Sequence, residues 1–200
     1  MTKKIITISR QFGSGGHSIG EQVAQKLGMK KYDREIIAQI AKRSGFAEDY
    51  VNEESEAVRE NSFFSAMTNG DFYENSNRLT IWSEQCQVIK ELANEGPCVI
   101  VGRCADYVLK QEYDLLRVFI YADMDYRAER IVREYGESNV KPEKRLREKD
   151  KRRAAYYEIY TDQKFGDPAN YDICLNSGKI GLEECADIIA QLYQKLAKDK

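Results

Sequence analysis

Ile5-Ile6-Thr7-Ile8-Ser9-Arg10-Gln11-Phe12-Gly13-Ser14-Gly15-Gly16-His17-Ser18 is the stretch that decides the fold. Its first five residues are a β-branched run of the kind that fills a buried strand. After Ser18, the residues Ile19, Val23, Ala24 and Leu27 recur at helical spacing, and Gly28 marks the helix stop. A polar, glycine-rich turn joins strand to helix. Glycines there let successive backbone N–H groups turn inward, and the helix N-terminus adds partial positive charge. Residues 10–18 are therefore expected to cradle phosphate through Arg10, Gly13, Ser14, Gly15, Gly16, His17 and Ser18. A plain strand-to-helix turn is the competing reading.

The usual phosphate-loop pattern is G-x-x-x-x-G-K-[S/T], whose lysine reaches the outer phosphates. This chain has no lysine in the loop. If Gly16-His17-Ser18 stands for Gly-Lys-Ser, His17 takes the lysine's place. If Gly13-Ser14-Gly15 is the inner Gly-x-Gly, Gly16 takes it and His17 stands at the Ser/Thr position. Sequence leaves both registers open. The first is the working choice because it keeps the Ser18 hydroxyl for Mg²⁺. His17 is the only histidine; it either serves phosphate or caps the helix. Arg10 can also reach in.

Outward from this stretch, strand and helix patterns alternate. Residues 29–32, 98–101, 116–122 and 171–175 read as strands. Residues 34–43, 79–95, 105–110, 126–134 and 182–196 read as helices, the last with Leu182, Cys185, Ile189, Leu192 and Leu196 as its inner stripe. Alternation with continuous apolar strands predicts an α/β, three-layer fold: a parallel sheet of about five strands with helices on both faces. Ligands of such sheets sit beyond the carboxyl ends of the strands. Residues 44–80 are polar, rich in Glu, Asn and Ser, and weakly periodic. They are expected to form a mobile, mostly helical insertion, or else a variable surface loop. The whole chain, residues 1–200, is expected to be one domain.

Composition bounds the rest. With 42% apolar and 32% charged residues over 200 positions, the chain can bury a full core. A formal net charge of −2 gives no global footprint for nucleic acid or an anionic membrane, so neither is an expected partner. Five cysteines without C-x-x-C spacing, beside one histidine, give no credible zinc set. Cys98, Cys174 and Cys185 lie in apolar runs and read as small core residues. With no secretory signal at the start, the expected compartment is the cytoplasm.

One segment breaks the neutral balance. Residues 141–153 carry eight basic and three acidic side chains. On a helix, Arg145, Lys149 and Arg152 share a face, and Asp150 can orient Arg153 at i, i+3. A solvated, salt-bridged helix is the default for such a run. A lid over phosphate, spanning about 140–165, is the functional reading. Tyr156, Tyr157 and Tyr160 behind it read as hinge packing. Arg103, after an apolar strand and Gly102, reads as a ligand contact. Asp33 either contacts ligand or caps the helix after it. Arg130 and Arg133 either stack on a base or lie on an exposed face.

Three segments together resemble a known family: residues 6–16 (Ile-Thr-Ile-Ser-Arg-Gln-Phe-Gly-Ser-Gly-Gly), residues 32–37 (Tyr-Asp-Arg-Glu-Ile-Ile) and residues 99–106 (Val-Ile-Val-Gly-Arg-Cys-Ala-Asp). They are similar to the cytidylate-kinase-like family, P-loop relatives of the nucleoside-monophosphate kinases, from about residue 5 to 195. The resemblance implies transfer of a phosphoryl group from ATP, with Mg²⁺, to a nucleoside monophosphate, CMP or dCMP favoured. It implies that Asp33 and Arg103 hold the acceptor. It also implies that residues 147–153 form the lid, with Arg147, Asp150 and Arg153 as the catalytic set. The insertion then helps bind the acceptor. The absent lysine sets a second class beside the enzyme: a nucleotide-binding or regulatory module without catalysis. A small-molecule kinase with another acceptor is a third.

Overall fold

The computed structural model describes residues 4–56 and 72–198. Strand β1 (Lys4–Arg10) lies at the centre of a five-stranded sheet. Ile5 faces one side while Ile6 and Ile8 face the other, all three with no exposed surface. Side chains alternate across a strand, so a run buried on both faces belongs in the middle. The other strands are β2 (Lys30–Tyr32), β3 (Cys98–Val101), β4 (Asp114–Tyr121) and β5 (Ile173–Asn176). Their order is β2-β3-β1-β4-β5, and every pairing is parallel.

Helices cover both faces, as the alternation predicts. Helix α1 (Gly16–Leu27) and α9 (Leu182–Lys198) pack on the face of Ile6 and Ile8. Helices α2 (Arg34–Ser44), α3 (Glu48–Glu56) and α4 (Phe72–Glu95) build the core on the face of Ile5. A short α5 (Ala105–Val108) follows β3, and α6 (Met124–Tyr135) follows β4. Helix α7 (Pro142–Thr161) carries the basic run, and α8 (Ser177–Ile180) follows β5. Among the described residues no helix is long and apolar enough to cross a membrane.

The expected strands lie within two residues of those observed at each end. Helix α4 begins seven residues before the expected 79. The 44–80 insertion is helical on both flanks, while its middle, residues 57–71, lies outside the described residues. Arg78 Nε donates to Glu54 Oε2 at 2.6 Å, joining α4 to α3 in a buried pair. Cys98 and Cys185 are core residues as expected; Cys174, on the edge strand β5, is only half-buried.

Candidate active site

The strand order reverses direction at β1, which makes its carboxyl end a topological switch point. Three loops converge there. Gly102 N–H, after β3, donates to Ile8 O at 3.0 Å. Gln11 N–H, after β1, donates to Ile120 O at 3.0 Å. Ala122 N–H, after β4, donates to Gln11 Oε1 at 3.2 Å. The cleft above them has a volume of about 780 Å³. Its lining includes seven Arg or Lys residues and four Asp or Glu residues, so it is a basic cleft in a nearly neutral chain.

Residues 10–18 form its floor. Gly13 and Gly15 adopt left-handed φ values of +80° and +82°. A Cβ at Gly15 would also lie 2.5 Å from Leu182 Cδ2, so only glycine fits this turn. Helix α1 starts at Gly16, and the N–H groups of its first turn have no helical acceptor. Gly15, Gly16, His17 and Ser18 line the cleft. Ser14 does not: it is fully buried, its hydroxyl 2.9 Å from Gln11 O, and its carbonyl accepts from Ser177 Oγ at 2.6 Å. Ser14 braces the turn from behind.

His17 turns toward Asp33, with Nδ1 and Oδ2 2.6 Å apart. Asp33 holds the N-cap position of α2, but its carboxylate makes no cap hydrogen bond. Of its two sequence readings, the helix cap is therefore not what the side chain does. Ser18 Oγ accepts from Arg130 Nη2 at 3.1 Å. Arg130 is buried, not on an exposed face, whereas Arg133 is exposed beside Glu134.

Arg103 closes the far side. Gly102, Arg103 and Cys104 follow one another with φ of +77°, +58° and +53°. Left-handed backbone at two consecutive non-glycine residues costs on the order of 1–3 kcal/mol each and persists only where the surroundings enforce it. Gln85 does so: fully buried on α4, it donates through Nε2 to Arg103 O at 3.0 Å. Tyr156 on α7 donates to Gln85 Oε1 at 3.5 Å. The Arg103 side chain is 5% exposed, lines the cleft and approaches Asn52 of α3.

Helix α7 forms the roof. Arg145, Lys149 and Arg153 line the cleft. Arg153 Nη1 donates to Arg10 O at 3.2 Å, and its guanidinium lies 5.6 Å from the Phe12 ring centre. Arg147 is exposed and lies outside the lining. Asp150 does something sequence did not anticipate. Its Oδ1 accepts from Phe12 N–H at 2.7 Å and its Oδ2 from Arg127 Nη1 at 2.5 Å. Arg127 also donates to the carbonyls of Phe12 and Ala122. The carboxylate expected to orient Arg153 joins α7 to the loop between β1 and α1. Behind it, Tyr156, Tyr157 and Tyr160 pack with Trp82 and Cys104, the aromatic packing expected of them. Tyr157 donates to Asp106 Oδ2 at 2.7 Å; burial of Asp106 pushes its carboxyl up from the ordinary value. The Cys104 thiol is pushed well up by burial and is inert.

Arg127 and Gln85 are the residues that sequence reasoning missed, and Arg130 was singled out there without its contact to Ser18. Arg127 lies in the first turns of the helix that follows the buried strand β4, a position near the strand's carboxyl end. Gln85 sits in a helical stripe with Val88, Ile89 and Leu92, where a polar residue must find a partner.

Comparison with known proteins meets this geometry. A model of the cytidylate kinase-like family matches residues 5–179. The chain belongs to that family. It is 30% identical over 193 residues to a cytidylate kinase from Archaeoglobus fulgidus, an alignment covering 94% of each chain. Among solved structures it resembles a protein from Eubacterium ventriosum at 25% identity and a TM-score of 0.72, covering 96% of this chain and 99% of that one. Shikimate kinase from Acinetobacter baumannii shares the fold at a TM-score of 0.55 and 16% identity, covering 98% of this chain and 94% of the other.

Proposed function

We propose that this chain transfers the γ-phosphoryl group of ATP to a nucleoside monophosphate, with CMP or dCMP as the favoured acceptor. Family membership and the likeness to a cytidylate kinase support nucleotide phosphoryl transfer as the chemistry. The observation that carries the reading is one cleft with a phosphate cradle on its floor, Asp33 and Arg103 at its side and a basic helix as its roof.

An oxygen of the acceptor's phosphate forms a bond to the γ-phosphorus. The bond from that phosphorus to the β–γ bridging oxygen breaks, and ADP leaves with the electron pair. Such a reaction needs positioning and positive charge on the moving oxygens more than covalent help. The N–H groups of the cradle hold the donor phosphates, joined by Arg10. Arg103 holds the acceptor phosphate and Asp33 its nucleoside end. Arg153, with Arg145 and Lys149, meets the charge in transfer. Asp150 fixes the roof to the floor. Mg²⁺ neutralises phosphate charge when bound. Among the described residues no group of three or more acidic, cysteine or histidine side chains could retain a metal ion. The ion would come with the nucleotide, as Mg²⁺ commonly does; in the register that pairs Gly16-His17-Ser18 with Gly-Lys-Ser it would meet the Ser18 hydroxyl.

A coupled ADP-release assay across CMP, dCMP, UMP, AMP and GMP, with and without Mg²⁺, tests the reading. Release stimulated most by CMP or dCMP and abolished without Mg²⁺ supports it. ATP binding without release for any acceptor sinks the enzyme and leaves a nucleotide-binding module, the reading that the absent loop lysine favours.

A further inference from the structure

Arg10 leaves β1 where the cradle begins, and its side chain runs through space that two glycines leave open. A Cβ at Gly16 would lie 2.6 Å from Arg10 Cβ and 2.8 Å from Cγ. A Cβ at Gly102 would lie 2.0 Å from Arg10 Nη1 and 2.8 Å from Cζ. Non-bonded carbons meet at about 3.5–4.0 Å, so Arg10 can lie here only if both positions are bare. Its stem crosses the first turn of α1. Its guanidinium reaches the loop that carries Arg103, between the cradle and the acceptor side.

Gly16 is also where one of the two sequence registers places the missing lysine. The left-handed turns at Gly13 and Gly15 fit that register, with Gly13-Ser14-Gly15 as the inner Gly-x-Gly. A side chain at position 16 would start where the stem of Arg10 now lies. His17, the lysine surrogate of the other register, is turned to Asp33 instead.

We propose that Arg10 supplies the phosphate-binding charge of the cradle from the end of β1, in place of a lysine on α1, and that Gly16 and Gly102 are the room it requires. This rests on the nucleotide-kinase reading. An arginine stays charged and offers a planar fork that engages two phosphate oxygens at once. Placed between donor and acceptor sides, it holds the outer phosphates of the donor nucleotide and not the acceptor's base.

The test is calorimetric binding of ATP and of CMP to the wild type and five variants. Arg10→Met keeps the stem and removes the charge; ATP affinity is expected to fall about 10- to 100-fold while CMP affinity holds. Arg10→Lys, shorter and without the fork, falls between the two. Gly102→Ala keeps the charge but displaces the guanidinium, and it too weakens ATP. Arg10→Gly with Gly16→Lys also removes the Cβ that a side chain at 16 would strike, places a lysine in the vacated space and recovers roughly tenfold of the affinity lost in Arg10→Gly alone. If Arg10→Met proves unfolded by circular dichroism, Gly102→Ala and Arg10→Lys carry the test. A wild type that binds ATP and an Arg10→Met that binds it equally well overturn the proposal alone. A wild type that binds no ATP overturns the kinase reading and this proposal with it.

Discussion

Nδ1 of His17 and Oδ2 of Asp33 lie 2.6 Å apart, linking the first turn of α1 to the start of α2. The pair joins the phosphate cradle to the side of the cleft assigned to the acceptor. His17 is thereby committed, and a lysine at 17 would face the same carboxylate. His17→Lys is expected to leave ATP affinity nearly unchanged. Asp33→Ala is expected to raise KM for the acceptor about tenfold with a smaller change in KM for ATP. Steady-state kinetics with each substrate varied in turn checks both.

Arg103 and Arg153 approach the cleft from different elements and should fail differently. On the proposed function Arg103 touches the acceptor phosphate in ground and transition states alike, so Arg103→Ala should raise KM more than it lowers kcat. On the same proposal Arg153 meets charge that moves during transfer, so Arg153→Ala should lower kcat, on the order of 10³-fold where an arginine serves this role. Initial rates under saturating and limiting acceptor separate the two patterns.

The helix carrying Arg153 shows how much of the site was legible. Leu146 is the only apolar side chain between Pro142 and Arg153, and it is fully buried. It sets the phase of α7: positions 150 and 153 turn inward with it, and the exposed Lys149 borders the cleft. That phase was readable and places Arg147 outside. The partner of Asp150 was not readable. Phe12 is 138 residues away and Arg127 is 23, and pairing across such separations is written in tertiary packing alone. The sheet was legible because β1 is apolar on both faces and the helices repeat at their own period. The early start of α4 was not, because its first turns carry no apolar stripe and are held by the Arg78–Glu54 pair. The loop register was ambiguous in one dimension; backbone angles at Gly13 and Gly15 and the course of Arg10 bear on it only in three.

Asp150 offers a stability test independent of activity. Removing it leaves the Phe12 N–H and the buried Arg127 guanidinium without their carboxylate. Asp150→Ala should cost about 3 kcal/mol, as loss of one partner from a buried pair does. Asp150→Asn, which keeps an acceptor for Phe12, should cost less. Urea midpoints of the two variants, compared at equal m-value, check the order.

Gln85 holds the strained backbone of Arg103 in place. Gln85→Leu fills the same volume but leaves Arg103 O and the Tyr156 hydroxyl unpaired, at a cost of about 1–3 kcal/mol. It should also raise KM for the acceptor, because Arg103 is no longer fixed. A variant that loses stability but keeps the wild-type KM would show that Gln85 serves packing only.

Asp106 titrates in the opposite sense to a salt-bridged carboxylate. Burial raises its folded value above the ordinary 3.8. The folded chain therefore holds this proton more tightly than the unfolded chain, and the contribution to stability is full below that ordinary value and lost as pH rises through the folded one. Asp106→Asn should match the wild type near pH 3.5 and exceed it near pH 7. Thermal or urea unfolding at both pH values reads the difference.

Phosphoryl transfer itself is tested most directly by following the label of [γ-³²P]ATP in the presence of CMP. Label is expected in the β-position of CDP, strongly reduced in Arg153→Ala and absent when CMP is omitted. Label that stays in ATP, or appears only as inorganic phosphate at a rate indifferent to every monophosphate offered, would contradict a nucleoside-monophosphate kinase built on this cleft.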